Sequence, residues 1–296
     1  RRQRQMCIRD RADYVERQSG LCELALHNFP LLGLGHIRIH NRDGVSYLQE
    51  MLPVDCLFLD PARRDGHGGK TVAISDCEPD VSALESLLVD KAKKVMVKLS
   101  PMLDLSLALN ELKTVRAVHI VAVNNECKEL LLILQKESVS SEVSIHCEHI
   151  AGNGESRHYT FTLKREKTSP CLLADEVGTY LYEPNAAILK AGAFRSLTQT
   201  YPVAKLHLNS HLYTSVSLVP DFPGRRFRVE AVSGFGKKEL KAFLMDMDKA
   251  NITIRNFPLS VAELRKRLKL KEGGDDYIFA TTLSGGQKVL IRGKKC

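Results

Sequence analysis

The 296-residue sequence has no apolar stretch approaching the ~20 residues of a membrane span, which predicts a chain without membrane-spanning helices and a cytoplasmic location. Its eight cysteines include no CxxC pair; from Cys22 onward they are scattered, several inside apolar runs. That distribution argues against a structural zinc site and a disulfide framework, and it suits reduced core thiols. The ten histidines show no spacing that would pair them as ligands, so no metal is expected. Low-complexity tracts and internal repeats are also missing, and the N-terminus as given does not read as a signal peptide, the true N-terminus being expected upstream. Position 1 is not methionine, and a sensible α/β pattern starts only at Ala12. Arg1 to Arg11 (RRQRQMCIRDR) resemble translated sequencing adapter and are set aside as an artefact.

The formal charge of +8 is unevenly spread. Residues 1–11 carry a net +4, residues 12–160 a net −6 and residues 161–296 a net +10. An acidic front half joined to a basic rear half suggests a catalytic body with an appendage that binds a polyanion. A basic surface that binds nothing satisfies the charge count equally well.

What is present from Asp13 onward is an alternation of short apolar runs with helical patterns, the signature of a mostly parallel, doubly wound α/β sheet. Strands are expected at Tyr14-Val15, Ile37–His40, Val54–Leu59, Lys94–Leu99 and Ala117–Val123. Helices are expected at Leu21–Asn28, Val45–Gln49, Val81–Val89, Leu105–Leu112 and Glu126–Gln135. A closing hairpin, Val143–Glu148 with His158–Leu163 around Gly152-Asn153-Gly154, completes a single sheet. Beyond Thr168-Ser169-Pro170 the pattern changes: a helix is expected over Ala186–Ala193, then a second boundary near Pro220–Gly224. A βαβαββ module follows, with strands at Phe227–Val232, Ile252–Asn256, Tyr277–Thr282 and Lys288–Arg292. Its helices are expected at Lys237–Ala250 and Ser260–Leu268, the latter with Glu263 at capping-box spacing. The expected domains are 12–168, 169–222 and 223–296.

The most informative segment is Asp60-Pro61-Ala62-Arg63-Arg64, which ends the apolar run Val54–Leu59. Open α/β sheets build their sites at the carboxyl ends of such strands, so Asp60 is a candidate site residue rather than only the start of a turn. Glu16 stands where an acid can accept both ribose hydroxyls of a nucleotide, and Asp43, one strand later, where it can meet an adenine amine. Asp60 then faces the reacting end of the ligand. Taken singly, each could be a solvated loop acid; three at successive strand ends carry more weight than one.

The sequence resembles the class I S-adenosylmethionine-dependent methyltransferases, and within them the bacterial family that joins this core to a ferredoxin-like segment and a C-terminal THUMP-like domain. The resemblance rests on Tyr14-Val15-Glu16-Arg17-Gln18, Phe58-Leu59-Asp60-Pro61-Ala62-Arg63-Arg64, Lys98-Leu99-Ser100-Pro101-Met102-Leu103-Asp104, Asn125-Glu126-Cys127-Lys128-Glu129-Leu130, Leu181-Tyr182-Glu183-Pro184-Asn185 and Arg255-Asn256-Phe257-Pro258-Leu259. It implies a Rossmann-like methyltransferase sheet followed by small α+β domains, with S-adenosyl-L-methionine as cofactor held by Glu16, Asp43 and Asp60. It also implies that the first strand and its glycine-rich loop would lie upstream of this sequence, leaving cofactor binding by this chain poor or absent. Asp60 and Pro61 occupy the place of an Asp/Asn-Pro-Pro-aromatic motif whose oxygens accept from a target amine. The stacking aromatic is missing here.

Lys98 ends the neighbouring strand and is either a base toward a ribose hydroxyl or the partner of Asp60 in a structural ion pair. Ser100 stands where carbon-5 pyrimidine methylation would need a nucleophilic cysteine, which disfavours that chemistry. Arg63 and Arg64 are candidates for a substrate phosphate or base, or else for surface salt bridges. Structured RNA, tRNA or rRNA, is the implied partner, with Arg225, Arg226, Lys237, Lys238, Arg265 and Arg267 as candidate contacts. The expected activity is RNA methylation, with a base nitrogen preferred over the ribose 2′-oxygen. The alternative is a non-catalytic RNA-binding protein on a degenerate methyltransferase scaffold.

Overall fold

The computed structural model describes residues 11–63, 73–136 and 142–296. These fall into two compact units, one built mainly from the chain up to Lys98 with Met102–Val115, the other mainly from Arg116–Leu132 and residues 142–296.

In the first unit, β1 (Ala12–Glu16) leads through α1 (Ser19–Leu31) to β2 (Ile37–Asn41), its parallel partner, with Glu16 opposite Asn41. Then come α2 (Gly44–Glu50), β3 (Val54–Leu59) and the short antiparallel pair β4 (Ala62–Arg63) and β5 (Cys77–Glu78). After α3 (Val81–Lys91), β6 (Ala92–Leu99) runs parallel to β3, and α4 (Leu105–Glu111) follows. Aspartates start three of these helices by accepting backbone N–H groups that lack an intrahelical partner: Asp43 for α2, Asp80 for α3 and Asp104 for α4. Val95 and Val97 of β6 are fully buried, as are Val81 and Leu88 of α3.

The expected single sheet is corrected here. β1 and β2 form a two-stranded sheet separate from the one that holds β3 and β6. Among the described residues, no strand pairs with the outer edge of β1 or of β3, so nothing bridges them. The same lack of cover leaves Phe58 of β3 58% exposed.

β7 (Val115–Val123) and β8 (Glu126–Leu134) meet at Asn124 and Asn125, whose φ angles are 51° and 63°. Two central residues with positive φ make a tight hairpin turn, and asparagine tolerates that region well. This overturns the expected Glu126–Gln135 helix. The leucines favour a helix locally, but the turn sends β8 back alongside β7, and its residues Leu130, Leu132 and Leu134 are fully buried.

In the second unit, β9 (Ser144–Ile150) is parallel to β7 and antiparallel to β10 (Ser156–Thr162), the expected hairpin. After α5 (Leu163–Thr168), β11 (Tyr180–Pro184), α6 (Ala186–Ala191), α7 (Ser196–Thr200), β12 (Ala204–Lys205) and β13 (Tyr213–Ser215) precede a longer series. That series is β14 (Gly224–Ser233), α8 (Lys237–Phe243), β15 (Asn251–Arg255), α9 (Val261–Leu268), β16 (Asp276–Thr282) and β17 (Lys288–Lys295). The seven strands from β11 onward form one sheet in the order β12-β13-β11-β14-β17-β16-β15.

Because side chains alternate along a strand, Phe279 and Ile291 pack with Leu181, Leu206 and Leu212 on one face. Ile278, Ala280 and Leu290 pack on the other with Phe243 of α8 and Leu264 and Leu268 of α9. Helix α8 is shorter than the expected Lys237–Ala250, since Asp246 has a φ of 63° and leaves the helical region. Ser260 and Glu263 form the expected capping box of α9. Glu166 ties α5 to α7 by accepting from the N–H groups of Phe194, Arg195 and Ser196 at 2.8–2.9 Å.

His211 stacks on Phe194 at 3.7 Å between ring centroids, and the Lys205 ammonium lies 4.9 Å from the same ring. Burial, then the charges of Lys205 and Arg255, push the His211 imidazole down to about 4. The unfolded chain therefore takes up this proton first. Stability from His211 is fully present above the ordinary histidine range near 6.5 and is lost as pH falls from there toward 4. The melting temperature is expected to drop across that window, and His211→Asn, which keeps a residue suited to the observed φ of 54°, is expected to flatten the drop.

Candidate functional site

Parallel pairing sets Leu59 of β3 opposite Val97 of β6, so the next residues, Asp60 and Lys98, emerge together at the carboxyl ends of both strands. Lys98 Nζ lies 2.8 Å from Asp60 Oδ2, with the lysine side chain 31% and the aspartate 55% exposed. Among the described residues, the bond to Lys98 is the one hydrogen bond or ion pair shown for the Asp60 carboxylate. Pro61 follows at once, and the chain then enters β4, of which Arg63 is the last residue. Arg64 lies outside the described residues.

Glu16 closes β1, and Asp43 stands two residues beyond the end of β2, so both acids sit at the same end of that pair. Glu16 Oε1 accepts from its own turn at Gln18 N, 2.8 Å away, and among the described residues no bond to Oε2 is seen. Asp43 Oδ1 accepts from Ser46 N at 2.8 Å and Ser46 Oγ at 2.9 Å. These bonds, with the Ser46 backbone contribution largest, hold the Asp43 carboxyl below its usual range. Each acid thus already makes a local structural bond. Among the described residues, no hydrogen bond or ion pair joins either of them to Asp60. Glu126 and Lys128 pair with each other at 2.6 Å.

In the second unit the expected RNA contacts divide by what they already hold. Arg225 directs Nε and Nη2 at Glu183, Arg226 donates to the Pro220 carbonyl, and Arg265 Nη1 donates to the carbonyls of Ala250 and Lys271 at 3.1 and 2.8 Å. Lys237 and Lys238, at the start of α8, are exposed. Exposed Arg267 on α9 lies 5.3 Å from the ring centroid of Phe235, which stacks on Phe257 at 5.3 Å. Sequence reasoning assigned no role to Phe235, although it stands between two glycines, Gly234 and Gly236, directly ahead of the lysines, and Phe257 drew notice only within Arg255-Asn256-Phe257-Pro258-Leu259. Glu183 was also missed as a charge-bearing residue; only its place in Leu181-Tyr182-Glu183-Pro184-Asn185 drew notice.

Family profiles match residues 180–223 as a ferredoxin-like domain and residues 224–295 as THUMP domain-like. Among solved structures, the chain is similar to a candidate methyltransferase from Porphyromonas gingivalis W83. The identity is 36% and the TM-score 0.86, over 97% of this chain and 72% of that one. The chain belongs to this methyltransferase family. Comparison with curated proteins returns no match. The methyltransferase thus carries its strand-end acids and the Asp60–Lys98 pair in one unit, and its ferredoxin-like and THUMP-like domains in the other. Among the described residues there is no cluster of His, Cys, Asp or Glu suited to a metal and no helix long and apolar enough to cross a membrane.

Proposed function

We propose that the protein methylates structured RNA, tRNA or rRNA, at a base nitrogen, with S-adenosylmethionine as donor. The observation that carries this reading is the Asp60–Lys98 pair at adjacent strand ends in a methyltransferase whose C-terminal domain is THUMP-like. When bound, the cofactor supplies the methyl group, and Glu16 and Asp43 are the residues that would hold its ribose and adenine.

Asp60 accepts a hydrogen bond from the exocyclic or ring N–H of the target base and aims the nitrogen lone pair, so that positioning supplies much of the rate. Lys98 is a positioning residue: its ammonium donates to Oδ2 and keeps the carboxylate turned toward the substrate. A donor so engaged is poorly arranged to take a proton from a ribose hydroxyl, which favours nitrogen over the 2′-oxygen. Arg63 and Arg64, which directly follow this motif in the chain, serve the phosphates of the bound RNA.

The protein that includes the upstream strand and glycine-rich loop implied by the resemblance is to be incubated with methyl-labelled S-adenosylmethionine and total RNA, followed by nucleoside analysis. Label in a methylated base is the expected result. RNA binding without any transfer would favour the non-catalytic alternative, and label in 2′-O-methyl nucleosides would move the target atom.

The open cations of α8 carry the phosphate contacts in this reading. Replacing Lys237 and Lys238 together with alanine is expected to weaken RNA affinity for every sequence. It should also lower the slope of log K against log salt by about 2, near one per phosphate contact. Filter binding at several salt concentrations checks this, and an unchanged slope would remove these lysines from the interface.

A further inference from the structure

We infer that the open edge of β14, beside the segment Glu176–Thr179, accepts a short basic segment of a partner protein as an added strand. β11 pairs with β14 from Pro184 opposite Gly224 up to Tyr180 opposite Arg228. One more bond, Val229 N–H to Thr179 O at 2.8 Å, prolongs that line. There the chain leaves it: Gly178 N–H donates to Thr214 Oγ1 at 2.8 Å, and the backbone lies so close to β13 that a Cβ on Gly178 would stand 2.6 Å from Ser215 O. Among the described residues, no strand pairs with Glu230–Ser233 on this side, whereas β17 takes the other side from Ala231 opposite Arg292 to Ser233 opposite Leu290. Alternate N–H and C=O groups of β14 therefore face an open groove of about 470 Å³, collinear with β11. An open strand edge is a template for a further strand.

The lining defines the occupant. Val216 is 79% exposed and Val232 is exposed as well, so alternate side chains of the incoming strand meet apolar surface. Every charged residue of the lining is acidic, namely Glu176 and Glu230, and an adjoining groove that shares Glu176 and Val216 adds Asp175. Glu230 is shared with Arg292 and Lys294 of β17 at 3.5 and 3.9 Å, which leaves Asp175 and Glu176 to meet an incoming cation. This acidic groove lies in the half of the chain with a net charge of +10, so it attracts what the rest of that half repels and disfavours RNA. The register shift between Val229 and Ala231 raises the local twist and limits the added strand to a few residues. The complementary ligand is an extended chain alternating lysine or arginine with small apolar residues.

The probe is an acetylated heptapeptide alternating lysine and valine, titrated into the full chain by calorimetry. It is expected to bind, and Glu176→Lys, with an unchanged melting temperature, is expected to weaken it at least tenfold. Because only one edge of an added strand bonds to β14, methylating one alternate set of peptide amides should abolish binding and methylating the other should spare it. No binding, equal binding of a glutamate–valine peptide, or equal effects of the two methylated sets would each overturn the proposal. So would a dimer, seen in sedimentation and abolished by Glu176→Lys, since the groove would then hold a second copy of the chain. None of these readouts depends on methyl transfer.

Discussion

Asp60→Ala is expected to lower the rate of methyl transfer by on the order of 100-fold or more while leaving RNA affinity within a factor of two. The side chain is 55% exposed at the end of β3, so in the proposed mechanism its loss removes an acceptor for the target amine rather than a structural support. Single-turnover transfer at saturating cofactor, with circular dichroism to show that the variant is folded, measures the effect. Asp60→Asn keeps one carbonyl acceptor and is expected to retain more activity than alanine. Lys98→Met, which removes the donor to Oδ2, should cost about tenfold through loss of orientation, with the pH profile unchanged. A Lys98 variant whose activity returns with rising pH, or an Asp60→Ala enzyme of normal rate, would contradict the roles assigned to the pair.

Glu183→Ala is expected to be the most destabilising single substitution in the second unit, by on the order of 3 kcal/mol. The Glu183 side chain is only 3% exposed, and its two oxygens divide between two guanidinium groups: Oε2 takes Arg225, and Oε1 takes Arg255 at 2.8 and 3.1 Å. Removing the carboxylate leaves two cations facing each other with their hydrogen bonds lost, which costs more than the pair contributes over apolar replacements. Glu183→Gln, keeping one oxygen and no charge, should lie between wild type and alanine. Adding Arg225→Met and Arg255→Met to Glu183→Leu should recover most of the loss. Urea unfolding of the series measures it, and additive effects of the three substitutions would show that they do not act as a triad.

The same triad marks where local pattern stops being informative. Glu183 and Arg225 are 42 residues apart in the chain, and Glu183 and Arg255 are 72 apart. Nothing in the spacing says that these arginines are held internally while Lys237 and Lys238 are exposed. Arg225, Arg226 and Arg265 read in the sequence as members of one basic set. In the fold each already donates to a carboxylate or a carbonyl that the path of the chain brings beside it.

The capping box at Ser260 and Glu263 and the run Val54–Leu59 ending on Asp60 were legible because each is a relation among residues a few positions apart. The sequence by itself thus determined the order of most strands and helices, and the placing of Glu16, Asp43 and Asp60 at strand ends. Only the tertiary structure decided that Glu126–Leu134 is a strand, that β1 and β2 stand apart from β3 and β6, and that Lys98 meets Asp60. Those outcomes depend on which distant backbone or charge a segment meets, and non-local pairing can override a local propensity worth only tenths of a kcal/mol per residue.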